Sequence, residues 1–270
     1  MVTLKRDVTV NVMQGFDLAV VIPAFNVRNT IDRALRSVLD QDPRPERVIV
    51  VDDGSTDGTA DAVKERGDVV VIRQQNRGPG AARNAGAASC ANRWIFFLDA
   101  DDELVPGSLR SLGRLLEDFP DAGAAVANRL LVDAGTGTEE VLWPALKAVE
   151  VLDRKDVAGL IRKNDLGMDA AVRQDVWERF PFREDLRASE DQAFWIDLLV
   201  AGVSVLKHPE VLLRYEVARP GSASTRTRFM RTHRYRLLRE LSRRPELTRA
   251  ERMLAMWMSL RSGVGALVAR

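Results

Sequence analysis

Five uninterrupted apolar residues at 18–22 (LAVVI) are closed off by Pro23. That is the pattern of a strand buried on both faces, not of one that alternates between core and solvent. Downstream, Ile31, Ala34, Leu35, Val38 and Leu39 fall at the spacing of one helical face. Residues 47–51 (RVIVV) read as a second buried strand that runs straight into Asp52-Asp53-Gly54-Ser55. Residues 69–72 and 94–98 (WIFFL) supply a third and a fourth, with helical stretches near 58–66 and 80–91 between them. Strands that are apolar throughout and separated by helices predict a parallel sheet covered on both faces.

The second half is less regular. Residues 106–119 predict a helix with Leu109, Leu112, Leu115 and Leu116 on one side and Pro106 in its first turn. Residues 124–132 predict a strand and Gly135-Thr136-Gly137 a turn, whereas 138–188 give no clear assignment. A helix is expected over 189–200, with two strands at 203–206 and 211–217. Thr248 and Glu251 form a capping-box pattern ahead of Met253, Met256, Trp257 and Leu260, an amphipathic closing helix.

Composition narrows the function classes. With 270 residues, 46% of them hydrophobic, and 40 basic against 39 acidic groups, the chain can bury a substantial core and is neither disordered nor collagen-like. The single cysteine, Cys90, excludes an internal disulfide framework, and two histidines, His208 and His233, are too few for most zinc enzymes. Any metal is therefore expected to be a hard cation held by carboxylates. No signal-like segment is visible near the N-terminus, and no run of about 18 apolar residues is present, so the expected location is cytoplasmic. Charge is unevenly placed. Residues 225–270 hold 12 Arg and 3 Glu, a net +9 that leaves −8 for residues 1–224. An acidic body (1–224) followed by a basic amphipathic helical extension (225–270) is the expected organisation.

In a parallel α/β sheet, ligands bind beyond the carboxyl ends of the strands. Asp52 and Asp53 follow the second predicted strand, and Asp99, Asp101 and Asp102 follow the fourth. Clustered acids repel one another and call for a cation or hydrogen-bond donors, and an oxygen-rich set suits Mg²⁺ or Mn²⁺ on phosphate oxygens. Gly78-Pro79-Gly80 imitates a dinucleotide fingerprint, but its third glycine position is Arg83. The chain has neither a P-loop nor a GxSxG elbow.

Taken in order, VIPAFN (21–26), VVDDGSTDGT (50–59), NRGPGAARNAG (76–86), FLDADD (97–102) and SEDQAFW (189–195) resemble the motifs of family 2 glycosyltransferases of the GT-A fold over roughly residues 18–217. The resemblance implies an α/β, Rossmann-like sheet flanked by helices and an inverting enzyme that uses a nucleotide-sugar, most commonly a UDP-sugar. It implies that Pro23, Ala24, Asn26, Asp52 and Asp53 lie against the nucleotide, with Arg83, Asp99 and Ala100 on the donor side. It matches Asp99-Ala100-Asp101 to the DXD motif, with Asp101 and Asp99 at a divalent metal, Mn²⁺ or Mg²⁺. Glu190-Asp191 match the catalytic acidic pair, with Asp191 as the general base. The acceptor, by the same resemblance, is a saccharide, a lipid-linked molecule or a small molecule.

Several positions keep two readings. Arg83 is a donor contact or a salt-bridging residue, and Asn84 shapes its loop. Arg219, Ser222 and Ser224 belong to a closing loop or to a flexible linker, and the histidine common in that loop is absent. Phe180-Pro181-Phe182-Arg183-Glu184 departs from the family's usual Gly-Phe-Asp-Glu. Trp143 and Trp195 either stack on a sugar face or, the favoured reading, are core residues, and Cys90 reads as a small buried hydrophobe. The basic tail, over 226–260, either contacts an anionic membrane at its inner face or packs on the acidic body, and a homodimer is allowed; nucleic acid is not expected as a partner. The rival functions are a non-catalytic nucleotide-sugar-binding or scaffold protein and a nucleotidyltransferase. The latter is disfavoured by PAFN where a glycine-rich basic loop belongs.

Overall fold

The computed structural model describes residues 17–64, 67–217 and 227–268, with side chains up to Ser262. The predicted closing-loop residues Arg219, Ser222 and Ser224 lie outside the described residues, as does the end of the helix expected at 58–66.

The first half follows its hydrophobic pattern closely. Strands β1 (Leu18–Ala24), β2 (Arg47–Asp52), β3 (Val70–Arg73) and β4 (Trp94–Phe97) alternate with helices α1 (Ile31–Leu39), α2 (Thr59–Lys64) and α3 (Pro79–Ala88). β1 pairs in parallel with β2 and β4, and β2 with β3. Successive strand residues face opposite sides, and both sides are packed. Ala19, Val21, Ile49, Val51, Ile95 and Phe97 enter one apolar cluster, while Leu18, Val20, Ile22, Val48, Val50 and Phe96 enter the other. Two-sided burial is why these strands are apolar without alternation.

The second half is mixed. It comprises β5 (Glu103–Leu104), α4 (Ser108–Asp118), β6 (Ala124–Asp133), β7 (Glu139–Val141), β8 (Glu150–Leu152), a 3-10 turn (Arg154–Asp156), α5 (Val157–Arg162), β9 (Ala170–Arg173), α6 (Gln174–Arg179), α7 (Glu190–Val200), β10 (Val205–Val217), α8 (Thr227–Leu241) and α9 (Arg249–Val268). Among the described residues all ten strands join one sheet in the order β3-β2-β1-β4-β9-β6-β10-β5, with β7 on β6 and β8 on β10. β9 is antiparallel to both β4 and β6, whereas β6 and β10 run parallel.

Three local expectations are corrected. The two strands at 203–206 and 211–217 are one, β10, which passes Pro209 by shifts of register between Lys207 and Leu213; irregularities of this kind are where a strand tolerates proline. Pro106 lies before α4 rather than in its first turn, because Gly107 takes a left-handed conformation (φ 83°) at the N-cap. The stripe Met253, Met256, Trp257 and Leu260 does not pack inward: all four are exposed, and α9 buries Glu251, Ala255 and Ser259 instead.

The basic tail does pack on the body. Leu237, Leu238, Leu241, Leu247 and Ala255 belong to the same cluster as Trp195 and Leu198 of α7 and Leu160 of α5. Arg244 pairs with Asp197, and Arg183 Nη1 lies 2.5 Å from Glu240 Oε1. The capping box is present, with Thr248 N donating to Glu251 Oε2 at 2.7 Å and Glu251 N to Thr248 Oγ1 at 3.2 Å.

Candidate active site

The loops after β1 and β2 are stitched to each other. Asn26 N donates to Ser55 Oγ at 3.0 Å, and Thr56 N donates to Asn26 Oδ1 at 2.9 Å. Asn26 adopts φ 54°, which asparagine tolerates better than most residues. Pro23 is half-buried and Ala24 buried at the end of β1. Asp52 is fully buried. Its Oδ1 accepts from Ser55 N at 2.9 Å, and Arg73 Nε forms an ion pair with Oδ2 at 3.2 Å without hydrogen-bond alignment. Asp53 is also buried and holds the next loop: Oδ1 accepts from Gln74 Nε2 at 2.7 Å and Arg77 N at 2.8 Å, and Oδ2 from Gly78 N at 2.8 Å. Gly54 (φ 80°) lets this loop come close, since a Cβ there would sit 3.0 Å from Asn76 N.

Helix α3 crosses the sheet at Gly86, where a Cβ would meet Val21 Cγ1 at 2.3 Å. The close helix–strand approach that a dinucleotide fold makes at its third glycine is thus made one turn later, and Arg83 is released from that duty. Arg83 is buried and joins two motifs that are distant in sequence. Nη2 donates to Asp99 Oδ1 at 2.7 Å and Nη1 to Glu190 Oε1 at 2.8 Å. Burial pulls its basicity down, but the Asp99 and Glu190 carboxylates hold it above the ordinary arginine value. The Phe182 ring lies 5.6 Å from the guanidinium. Asn84, as expected, shapes the loop: it accepts from Phe182 N and Trp177 Nε1 and donates to Phe182 O.

Beyond β4, the carboxylates of Asp99, Asp102 and Asp169 place oxygens within 4.8 Å of one another. Asp99 and Asp101 are half-buried, Ala100, Asp102 and Asp169 buried. Asp102 is pushed well above the usual carboxylate range by burial and by the charges of Asp169, Asp101 and Asp99, and among the described residues its Oδ2 has no hydrogen-bond partner. Burial and Asp99 raise Asp169 to about 6, against the pull of Arg129, whose Nη1 is 3.6 Å away. An oxygen-only donor set with mutually raised carboxyls and an orphaned buried oxygen fits a hard divalent cation. Asp101, matched to the metal by the sequence, is not one of these three.

The acidic pair sits in the first turn of α7, where the helix terminus favours negative charge. Ser189, at the N-cap, is left-handed (φ 63°). Glu190 is buried on Arg83, and desolvation raises it while Arg83 pulls it back. Asp191 faces the other way. Its Oδ2 accepts from Asn164 Nδ2 at 2.7 Å and it lines a cavity of about 420 Å³, with Arg129, Lys163, Tyr215, Met230 and Arg234 among the other lining residues. Tyr215 is raised by burial and by the charges of Asp102, Asp99, Asp169 and Asp101.

Sequence reasoning missed Asp169, Arg129, Asn164, Tyr215, Met230 and Arg234. None sits in a motif. Trp195 and Trp143 are core residues rather than exposed sugar platforms, and Cys90 is buried.

Residues 19–177 match the model of glycosyl transferase family 2. The chain belongs to this family. Among curated members, it is 41% identical over 114 residues to the succinoglycan biosynthesis protein ExoO of Rhizobium meliloti, covering 41% of this chain and 32% of that one. It is 27% identical over 188 residues to the GalNAc(5)-diNAcBac-PP-undecaprenol beta-1,3-glucosyltransferase of Campylobacter jejuni, covering 67% of this chain and 59% of that one. The chain thus spans less than two thirds of either relative. In fold it resembles S. aureus TarS 1–349 in complex with UDP-GlcNAc (TM-score 0.68, 19% identity, 91% of this chain and 72% of that one). The mannosyltransferase PcManGT of Pyrobaculum calidifontis, in complex with GDP-Man and Mn²⁺, is as similar (TM-score 0.65, 19% identity, 95% and 75%). The fold is that of these two α/β structures, and the matched domain is that of a family of glycosyl-transferring enzymes.

Proposed function

We propose that this protein moves a sugar from a nucleoside-diphosphate donor, a UDP-sugar first among the candidates, to an acceptor hydroxyl with inversion at the anomeric carbon. The observation that carries the reading is the split of the acidic pair: Glu190 is committed to Arg83, whereas Asp191 is oriented by Asn164 and lines the cavity.

Asp191 takes the proton of the acceptor hydroxyl as its oxygen attacks the anomeric carbon. One bond forms as the bond from that carbon to the diphosphate breaks, and the nucleoside diphosphate leaves with the electron pair. Glu190 and Arg83 position the reacting groups by tying α7 to Asp99. Pro23, Ala24, Asn26, Asp52 and Asp53 frame the nucleotide end, where the stitched loops fix the shape of the wall. Asp99 and Ala100 lie on the donor side, and the half-buried Asp99 and Asp101, next to the buried Asp102 and Asp169, would hold Mn²⁺ or Mg²⁺. Bound there, the cation supplies charge to the departing diphosphate.

Both structural neighbours named above carry nucleotide-sugars, one with uridine and one with guanosine. Their comparable similarity to this chain supports the donor class and leaves the base to experiment. The Campylobacter relative is named for a lipid-linked acceptor, which supports that acceptor class alongside saccharides and small molecules.

Thermal stabilisation across UDP, GDP, TDP and CDP, each with Mn²⁺ and with EDTA, tests the donor site without a known acceptor, because a ligand bound only by the native state raises stability. A metal-dependent shift with one nucleotide is expected. No shift with any of them would favour a scaffold protein on the same fold.

A further inference from the structure

We propose that the outer face of α9 docks the protein on an anionic phospholipid surface. This goes beyond the glycosyl-transfer reading and does not depend on it. In α8, Leu237, Leu238 and Leu241 are fully buried in the body, while Phe229 is 39% exposed. In α9, Leu254, Ala255 and Met258 pack on the body, whereas Met253, Met256, Trp257 and Leu260 are 48–65% exposed. Their spacing of three and four places them along one side of the helix.

Arginines predominate around this stripe, although Glu246 is exposed at the turn before α9. Arg249 and Arg261 are exposed on α9, and the Arg261 guanidinium lies 4.7 Å from the Trp257 ring centroid. Glu251 is the one acidic residue in the α9 sequence, and it is turned inward onto Arg154. At the end of α8, Glu240 pairs with Arg183, and Arg243 is exposed at the turn into α9. Among the described residues of the tail, Glu240 and Glu251 are engaged by the body while Arg243, Arg249 and Arg261 are exposed against Glu246, an excess of positive charge near the stripe.

An apolar stripe with an indole, rimmed by arginine, matches the acyl–headgroup boundary of an anionic bilayer. A second copy fits it poorly. Two-fold pairing would lay the arginine rims against each other, and four side chains fall well short of the roughly 800 Å² per partner of a stable dimer. Among the described residues no helix is long and apolar enough to cross a membrane, so the contact lies in the plane of the surface.

Trp257 makes the test direct, because Trp94, Trp143, Trp177 and Trp195 are all buried. The full-length protein is mixed with vesicles of phosphatidylglycerol and phosphatidylcholine, or of phosphatidylcholine alone, at low and high salt, and followed by flotation and tryptophan emission. Binding to the anionic vesicles with a blue shift is expected, weakened by salt and quenched by lipids brominated on their acyl chains. M256E with L260E should lower that binding by at least about tenfold, while the melting temperature and the nucleotide-dependent thermal shift stay unchanged. No flotation of the native protein at low salt overturns the proposal. So does equal flotation of the double variant, or a stable dimer dissolved by the double variant in a protein that ignores vesicles.

Discussion

Arg83 and Glu190 meet through a buried ion pair, Nη1 to Oε1 at 2.8 Å, that ties α3 to the first turn of α7 across 107 positions of sequence. The second arm of the same guanidinium reaches Asp99 at 2.7 Å. Removing the cation would take the arginine partner from the buried Glu190 and from the half-buried Asp99. Arg83→Met should therefore destabilise the fold by about 3–5 kcal/mol, read by urea denaturation, and adding Glu190→Gln should recover part of the loss. A change below about 1 kcal/mol would place the pair outside the stabilising core.

Helix α3 rests on β1 and β2 at Gly86, with no room for a side chain. Gly86→Val should cost about 1–3 kcal/mol through overpacking, and Val21→Ala in the same protein should return some of it, since Val21 Cγ1 is the atom met first. Additive losses in the double variant would contradict this packing.

How much of this was legible in the sequence follows from what each element buries. β1, β2 and β4 are covered on both faces, so their runs of Val, Ile and Phe announce them. β9 is only Ala170–Arg173, with two alanines in four residues, too short and too small to leave a pattern, although it is the strand that joins the two halves of the sheet. Asp102 was visible beside its motif. Asp169 was not, because its place in the cluster is set by the antiparallel pairing of β9 with β4. Met253, Met256, Trp257 and Leu260 gave the right period for α9 but not its orientation, because periodicity marks an apolar face without saying what lies opposite.

The capping box of α9 sets a pH dependence. The Arg154 guanidinium, with the Thr248 donors, holds Glu251 down to about 2, below its unfolded value of 4.5. A depressed carboxylate stabilises the fold fully above the unfolded value and loses that contribution as pH falls from 4.5 towards 2. The Glu251→Gln variant should be less stable by about 1 kcal/mol at pH 7 and should converge on the native protein across that window. Parallel stability curves from pH 7 to 2 would contradict the assignment.

In the proposed mechanism Asn164 acts through Asp191. Its Nδ2 donates to Oδ2 at 2.7 Å, so Asn164→Ala should lower kcat while leaving the KM for the donor nearly unchanged, and Asn164→Asp should lower kcat further by placing a like charge beside the base. A raised donor KM with kcat intact would make Asn164 a donor contact instead.

In the proposed reaction Asp191 carries the proton of the incoming hydroxyl. The most direct measurement compares Asp191→Asn with the native protein, using the sugar donor that matches the stabilising nucleotide and water as acceptor. Release of nucleoside diphosphate is followed alongside donor affinity by calorimetry. Release reduced by about 100-fold or more, with donor affinity essentially unchanged, is expected. Turnover close to that of the native protein would contradict it.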